Sequence, residues 1–195
     1  MSQMLLAPPH VRSPFAVVWT RDDCKKLEAA GVLNYRYELV EGEIIRKMGQ
    51  NVPHRHAVML VLAYLMTLFG AAYIQTQAAI DVAPEDNPTS EPEPDVTVMS
   101  VPMPALTSNP TAAQVVLAVE VSDTTLDYDL IVKAGLYARA GIAESWVVDI
   151  NNRQLHVHRQ PQNGMYRGVV PYPDTAMVAP LAAPNSSTSV AQLLP

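Results

Sequence analysis

The chain has 195 residues, 49% hydrophobic and 16% charged, with a formal net charge of −6. That length and balance exclude a disordered or polycationic chain and predict one domain, whose core buries about 70% of the unfolded surface. With 13 Lys and Arg against 19 Asp and Glu, and no basic run, the chain lacks the broad footprint that tight binding to long duplex DNA requires.

Residues 1–18 contain Pro8, Pro9 and Pro14 and show no period, which predicts a mobile arm ahead of a domain over 19–175. The arm lacks a basic segment followed by an apolar run, and the single cysteine, Cys24, suits a reducing compartment, so a cytoplasmic location is expected. Thr20 with Asp23 reads as a capping box, opening a helix that carries Cys24, Leu27 and Ala30 to Gly31 and forms a lid on the core. Tyr37–Val40 and Glu43–Met48 alternate as strands around Glu41-Gly42, the signature of a tight hairpin.

Pro53 suits the start of a helix whose Ala57–Phe69 stretch is almost wholly apolar. Gly70 interrupts it before it reaches the length of a membrane span, so a helix buried on most sides is expected, with no membrane partner. His54 and His56 lie two apart and cannot share a helical face as joint zinc ligands. Tyr73–Val82 is a strand candidate; the Pro-rich stretches 84–94 and 101–113 are loops, flanking the runs described next.

Those runs are Pro94–Met99 and Val115–Ser122. By alternation Asp95, Thr97 and Met99 share a face of the first, and Ala118, Glu120 and Ser122 share a face of the second. A carboxylate that interrupts an apolar strand must be paired, protonated or metal-bound. Two acids aimed at one spot about 4 Å apart would repel by roughly 4 kcal/mol at an effective dielectric of 20, which a divalent cation reverses; oxygen donors favour magnesium or manganese. Asp95 and Glu120 are therefore the candidate metal ligands. The helix that follows runs to Ala140 and is closed by Gly141, with Leu130, Lys133, Ala134 and Tyr137 on one face, so Lys133 falls among buried residues.

Ser145–Ile150 and Gln154–Arg159 read as strands turned by Asn151-Asn152. His156 and His158 share a face; they could chelate zinc as a pair, but with no Cys or third His nearby a solvated face is the stronger expectation. Asn163-Gly164 predicts a further hairpin, and residues 176–195, rich in Pro, Ala and Ser, predict a loosely ordered tail apart from Val190–Leu194.

Taken together, Glu91-Pro-Glu-Pro-Asp95, Leu117-Ala-Val-Glu-Val-Ser122, Lys133 and Tyr137 through Asp149 resemble the Uma2 family of restriction-endonuclease-like proteins, within the PD-(D/E)XK nuclease superfamily. The likeness extends back through Tyr37–Glu43 and His56 and covers about residues 18–170. It implies an α/β restriction-endonuclease-like fold, a mixed central sheet flanked by helices, with no P-loop or dinucleotide-binding glycine pattern. It also implies a magnesium- or manganese-dependent endonuclease acting on nucleic acid, DNA before RNA, and by analogy a homodimer.

By the same resemblance Asp95 and Glu120 hold the metal, while Glu43, in preference to Glu38, and His56 approach the site. In the superfamily motif a lysine lies two residues after the acid, where this chain has Ser122; the resemblance moves that lysine to the helix, as Lys133. A non-catalytic nucleic-acid or protein-binding module is the alternative that the missing lysine and the acidic balance raise.

Overall fold

The computed structural model describes residues 15–47 and 49–195; residues 1–14, most of the expected arm, lie outside them. Helix α1 (Arg21–Ala29) starts at Thr20, whose hydroxyl accepts from the Asp23 N–H while the Asp23 carboxylate accepts from the Thr20 N–H. It buries Cys24 against Leu33 and Leu39, as a lid does.

Strands β1 (Tyr37–Val40) and β2 (Glu43–Arg46) form an antiparallel hairpin in which Glu38 faces Ile45 and Val40 faces Glu43. Its turn needs left-handed backbone at Glu41 (φ 50°) and Gly42 (φ 78°). Gly42 serves a second purpose, because a Cβ there would meet Val18 Cγ1 at 2.3 Å.

The main sheet has six strands in the order β3-β4-β5-β6-β7-β8: β3 (Ile74–Thr76), β4 (Val96–Met99), β5 (Val115–Ser122), β6 (Glu144–Asp149), β7 (Gln154–Gln162) and β8 (Met165–Pro173). All neighbours are antiparallel except β5 and β6, which run parallel with the second long helical segment as their crossover. The expected strand over 73–82 is confined to Ile74–Thr76, because Gln77 takes left-handed backbone (φ 49°) and turns the chain away. Asn163 and Gly164, both at positive φ, make the turn between β7 and β8 that their sequence predicts.

Helix α2 (Val52–Phe69) lies along one face of the sheet and packs Ala57, Val61 and Leu65 against Val98, Leu117, Val119 and Trp146. It is long and apolar enough to cross a membrane by length and composition, yet only 22% of that window is buried. The expectation of burial on most sides is not met: α2 is an outer layer with one buried stripe, and Met59 and Met66 are exposed.

The C-terminal segment packs on the core through Val190–Leu194, the stretch the sequence set apart, and through residues before it. Met177–Val178 (β9) pairs with Thr188–Ser189 (β10), and Val178, Val190, Leu193 and Leu194 join the α2 side of the core. Glu144, 1% exposed, accepts from the Leu181 N–H at 2.6 Å, and Arg159 donates to the Ala179 carbonyl at 2.6 Å, so polar bonds from the sheet hold the segment as well.

On the opposite face the crossover turns helical at Leu126, passes through a π-helical turn (Tyr128–Lys133) and continues as α3 (Ala134–Arg139). Ala134, Tyr137 and Ala138 pack there on Ala118, Ile142 and Tyr166. His158 is not solvated as expected: it is 3% exposed and tilted against the Tyr166 ring, and burial pushes its imidazole down to about 4, so it is neutral packing.

Candidate active site

Three elements bring acids to one lysine. Glu120 leaves β5 on the α3 side, beside Ala118 and Ser122, where the small neighbours leave it room. Lys133 comes from the last position of the π turn, and its Nζ lies 2.8 Å from Glu120 Oε1 and 3.0 Å from Glu38 Oε2 of β1. The Tyr137 hydroxyl, one helical turn further on, donates to the same Glu120 Oε1 at 2.5 Å. A π turn carries one residue more than an α turn, and both Asp129 and Lys133 are buried in it; Asp129 accepts from the Thr125 hydroxyl at 2.7 Å.

Asp95 stands one residue before β4, 7% exposed. Its Oδ2 accepts from the Val121 N–H at 2.9 Å and lies 3.4 Å from His54 Nε2. Glu38, His54, Asp95, Glu120, Asp129 and Lys133 line one cleft of about 340 Å³, with Lys47 and Asn51 also in its wall.

The acids that line the cleft outnumber its cations, Lys133, Lys47 and Arg46. Burial pushes the Glu120 carboxyl up to about 8; Lys133 opposes the rise, while Asp129, Asp95 and Glu38 add to it. Burial also raises Asp129 against the pull of Lys133 and the Thr125 hydrogen bond. Burial disfavours ionisation of Glu38 too, but Lys133, Lys47 and the Glu93 N–H hold it below the usual carboxylate range. Asp95 is likewise held low against burial by His54 and the Val121 N–H. Burial disfavours the charge on Lys133, yet its acid neighbours, with Glu38 the ionised one at neutral pH, hold it well above the ordinary lysine value.

The donor set suits a hard divalent cation. The hydrogen bonds engage Oδ2 of Asp95 and Oε1 of Glu120, and these two carboxylates are the residues that would hold a cation. Magnesium is commonly held by one or two carboxylates with water completing its shell. Among the described residues no three His, Cys, Asp or Glu side chains are grouped as a metal cage.

The Uma2 family model, described as "Putative restriction endonuclease", matches residues 26–191. The chain belongs to the Uma2 family. Among solved structures, this Uma2 chain is similar to a protein from Anabaena variabilis ATCC 29413 described as a putative nuclease belonging to DUF820. The two share 15% identity over 89% of this chain and 96% of that one, with a TM-score of 0.63, a likeness of fold. No curated protein matches the chain.

Against that frame Asp95, Glu120 and Lys133 of the Uma2 chain meet in one cleft, while two other expected residues do not join them. Glu43 shares a hairpin face with Glu38 but sits at the turn end, exposed and outside the cleft lining; Glu38, two positions further from the turn than its neighbour Val40, is the hairpin acid that reaches Lys133. His56 is exposed on α2. Because Asn51 caps the helix by accepting from the His54 N–H, the first turn presents His54 to Asp95, and a residue two further on points elsewhere.

Glu38 had a signal: it is an acid between Tyr37 and Leu39-Val40, the same interruption that singles out Glu120. Asp129 and His54 had none, since the first depends on the π turn and the second on where the helix begins.

Proposed function

We propose that this Uma2 protein hydrolyses phosphodiester bonds in nucleic acid, DNA before RNA, with magnesium or manganese held by Asp95 and Glu120. The observation that carries the reading is that Lys133, from another element, occupies the space beside Glu120 although Ser122 stands where the superfamily motif has its lysine.

When bound, the cation would polarise the phosphoryl group and lower the pKa of a coordinated water. The chain's own residues do the rest. Lys133 remains charged, so its ammonium can donate to a non-bridging phosphate oxygen and stabilise the charge that grows as water attacks phosphorus and the P–O bond to the leaving group breaks. Glu38 and Glu120 hold that ammonium, and Tyr137 fixes the Glu120 carboxylate. His54 and the Val121 N–H orient Asp95.

One observation favours a second reading. Lys133 is 3% exposed and closes an ion-pair network with Glu38 and Glu120, as a purely structural cluster would. Calorimetric titration with magnesium, combined with cleavage assays on single- and double-stranded DNA and RNA, separates the readings. The nuclease binds magnesium, loses that binding in Asp95→Asn and cuts nucleic acid. A structural network gives no binding heat, and metal binding without cleavage of any substrate points to a binding module.

A further inference from the structure

We infer that the open end of the β1–β2 hairpin carries a subsite for an unpaired nucleobase beside the proposed phosphodiester cleft, which makes single-stranded DNA the preferred substrate. The inference rests on the nuclease reading of the cleft and adds to it the form of the strand that is bound.

The hairpin end is a ridge between two cavities. Tyr37 pairs with Arg46 in register, and the Lys47 N–H continues the pairing to the Arg36 carbonyl at 2.9 Å. On one flank Arg46 and Lys47 line the cleft of Glu120 and Lys133. On the other flank Tyr35 and Tyr37 line a second cavity of about 540 Å³, and Glu38 borders both spaces. The Arg46 guanidinium lies over the Tyr35 ring, 4.8 Å from its centroid, so the crest of the ridge is already a cation stacked on an aromatic face. Tyr35 is 37% exposed, and Tyr37 is fixed by its hydroxyl bond to Glu28 at 2.9 Å.

The chemistry of the two flanks differs in the way the two parts of a nucleotide differ. The second cavity includes Glu28, Glu91 and Glu93 together with the Arg36 that pairs with Glu93, an acid-rich lining that disfavours phosphate and whose remaining carboxylate oxygens can accept from the amino and ring N–H groups of a base. Phosphate belongs on the Arg46 and Lys47 side. A base reaches an aromatic wall in this way only when it has left its own stack, which a single strand allows at little cost.

The supply of cations agrees. Among the described residues, Arg46, Arg55 and Arg167 are the lysines and arginines that the ion pairs leave unengaged. Arg46 lines the cleft, and Arg55 follows His54 in the first turn of α2. Those two charges suit a few phosphates of one strand, not the many contacts that hold a long duplex.

The test is fluorescence anisotropy with a short labelled oligodeoxynucleotide, its perfect duplex, and an abasic strand of the same length, with calcium replacing magnesium. The parent should bind the intact single strand roughly tenfold tighter than the duplex. Tyr35→Ala should lose roughly tenfold on the intact strand and little on the abasic one, while Tyr35→Phe should bind as the parent does. Equal affinity for single strand and duplex, an unchanged ratio of intact to abasic binding in Tyr35→Ala, or no binding to either form would overturn the subsite. Magnesium-dependent cleavage is scored separately. Tyr35-dependent binding without any cleavage keeps the subsite and removes the nuclease, whereas duplex cleavage indifferent to Tyr35 keeps the nuclease and removes the subsite.

Discussion

The Lys133 ammonium lies 2.8 Å from Glu120 Oε1, although one residue sits on a helix and the other on a strand. Its long flexible stem lets it enter from the side the space that a lysine at Ser122 would enter from the strand. Glu38, 3.0 Å from the same nitrogen, completes the cluster from a third element.

Glu120 makes stability pH-dependent in a direction opposite to that of an ordinary carboxylate. Its native pKa of about 8 stands above the 4.5 of the free group, so between those values the native state keeps a proton that the unfolded chain releases. Its contribution to stability is fully present below about pH 4.5 and is lost as pH rises through 8, by a few kcal/mol. Glu120→Gln cannot titrate and should gain stability relative to the parent between pH 5 and 8, read by urea denaturation at both pH values. The same variant should bind no magnesium.

Glu38 is held ionised by Lys133 and Lys47. Glu38→Ala removes one partner of a buried ion pair and leaves the Glu93 N–H without its acceptor. The variant should lose about 3 kcal/mol at neutral pH. Chemical denaturation checks it; a loss below about 0.5 kcal/mol, the range of a surface change, would show that Glu120 alone suffices for Lys133.

Leu193 is fully buried with Val190 on the α2 side of the sheet. Leu193→Ala should cost about 2–5 kcal/mol in urea denaturation, as a core truncation does, and a cost near zero would mean that the C-terminal segment is not part of the core.

Legibility tracked how local each signal was. The acids of β4 and β5 stand out because each breaks an apolar strand, and Lys133 because helical spacing places it on the inner face. Glu38 carried the same signal, but the hairpin offered two acids on one face, and only the docking of the hairpin against the cleft decides between them. His54 replaces His56 because the cap at Asn51 sets the phase of α2. Asp129 depends on a π turn, which has no simple sequence signature. Outside Val190–Leu194 the tail was illegible because Val178 stands among Pro, Ala and Thr without a period, and its burial comes from long-range packing.

The central claim is that Lys133 does the work of the lysine absent at Ser122, and the measurement that tests it most directly is the magnesium-dependent cleavage rate of DNA by Lys133→Met and by Lys133→Met with Ser122→Lys. Ser122 is 1% exposed and shares the Glu120 face of β5, so a lysine there leaves the strand toward the same cleft. With folding confirmed by circular dichroism, the single variant should lose roughly a hundredfold or more in rate, and the double variant should regain part of that loss. Cleavage by Lys133→Met at the parent's rate would contradict the account and leave Lys133 as nothing more than the counter-charge of Glu38 and Glu120.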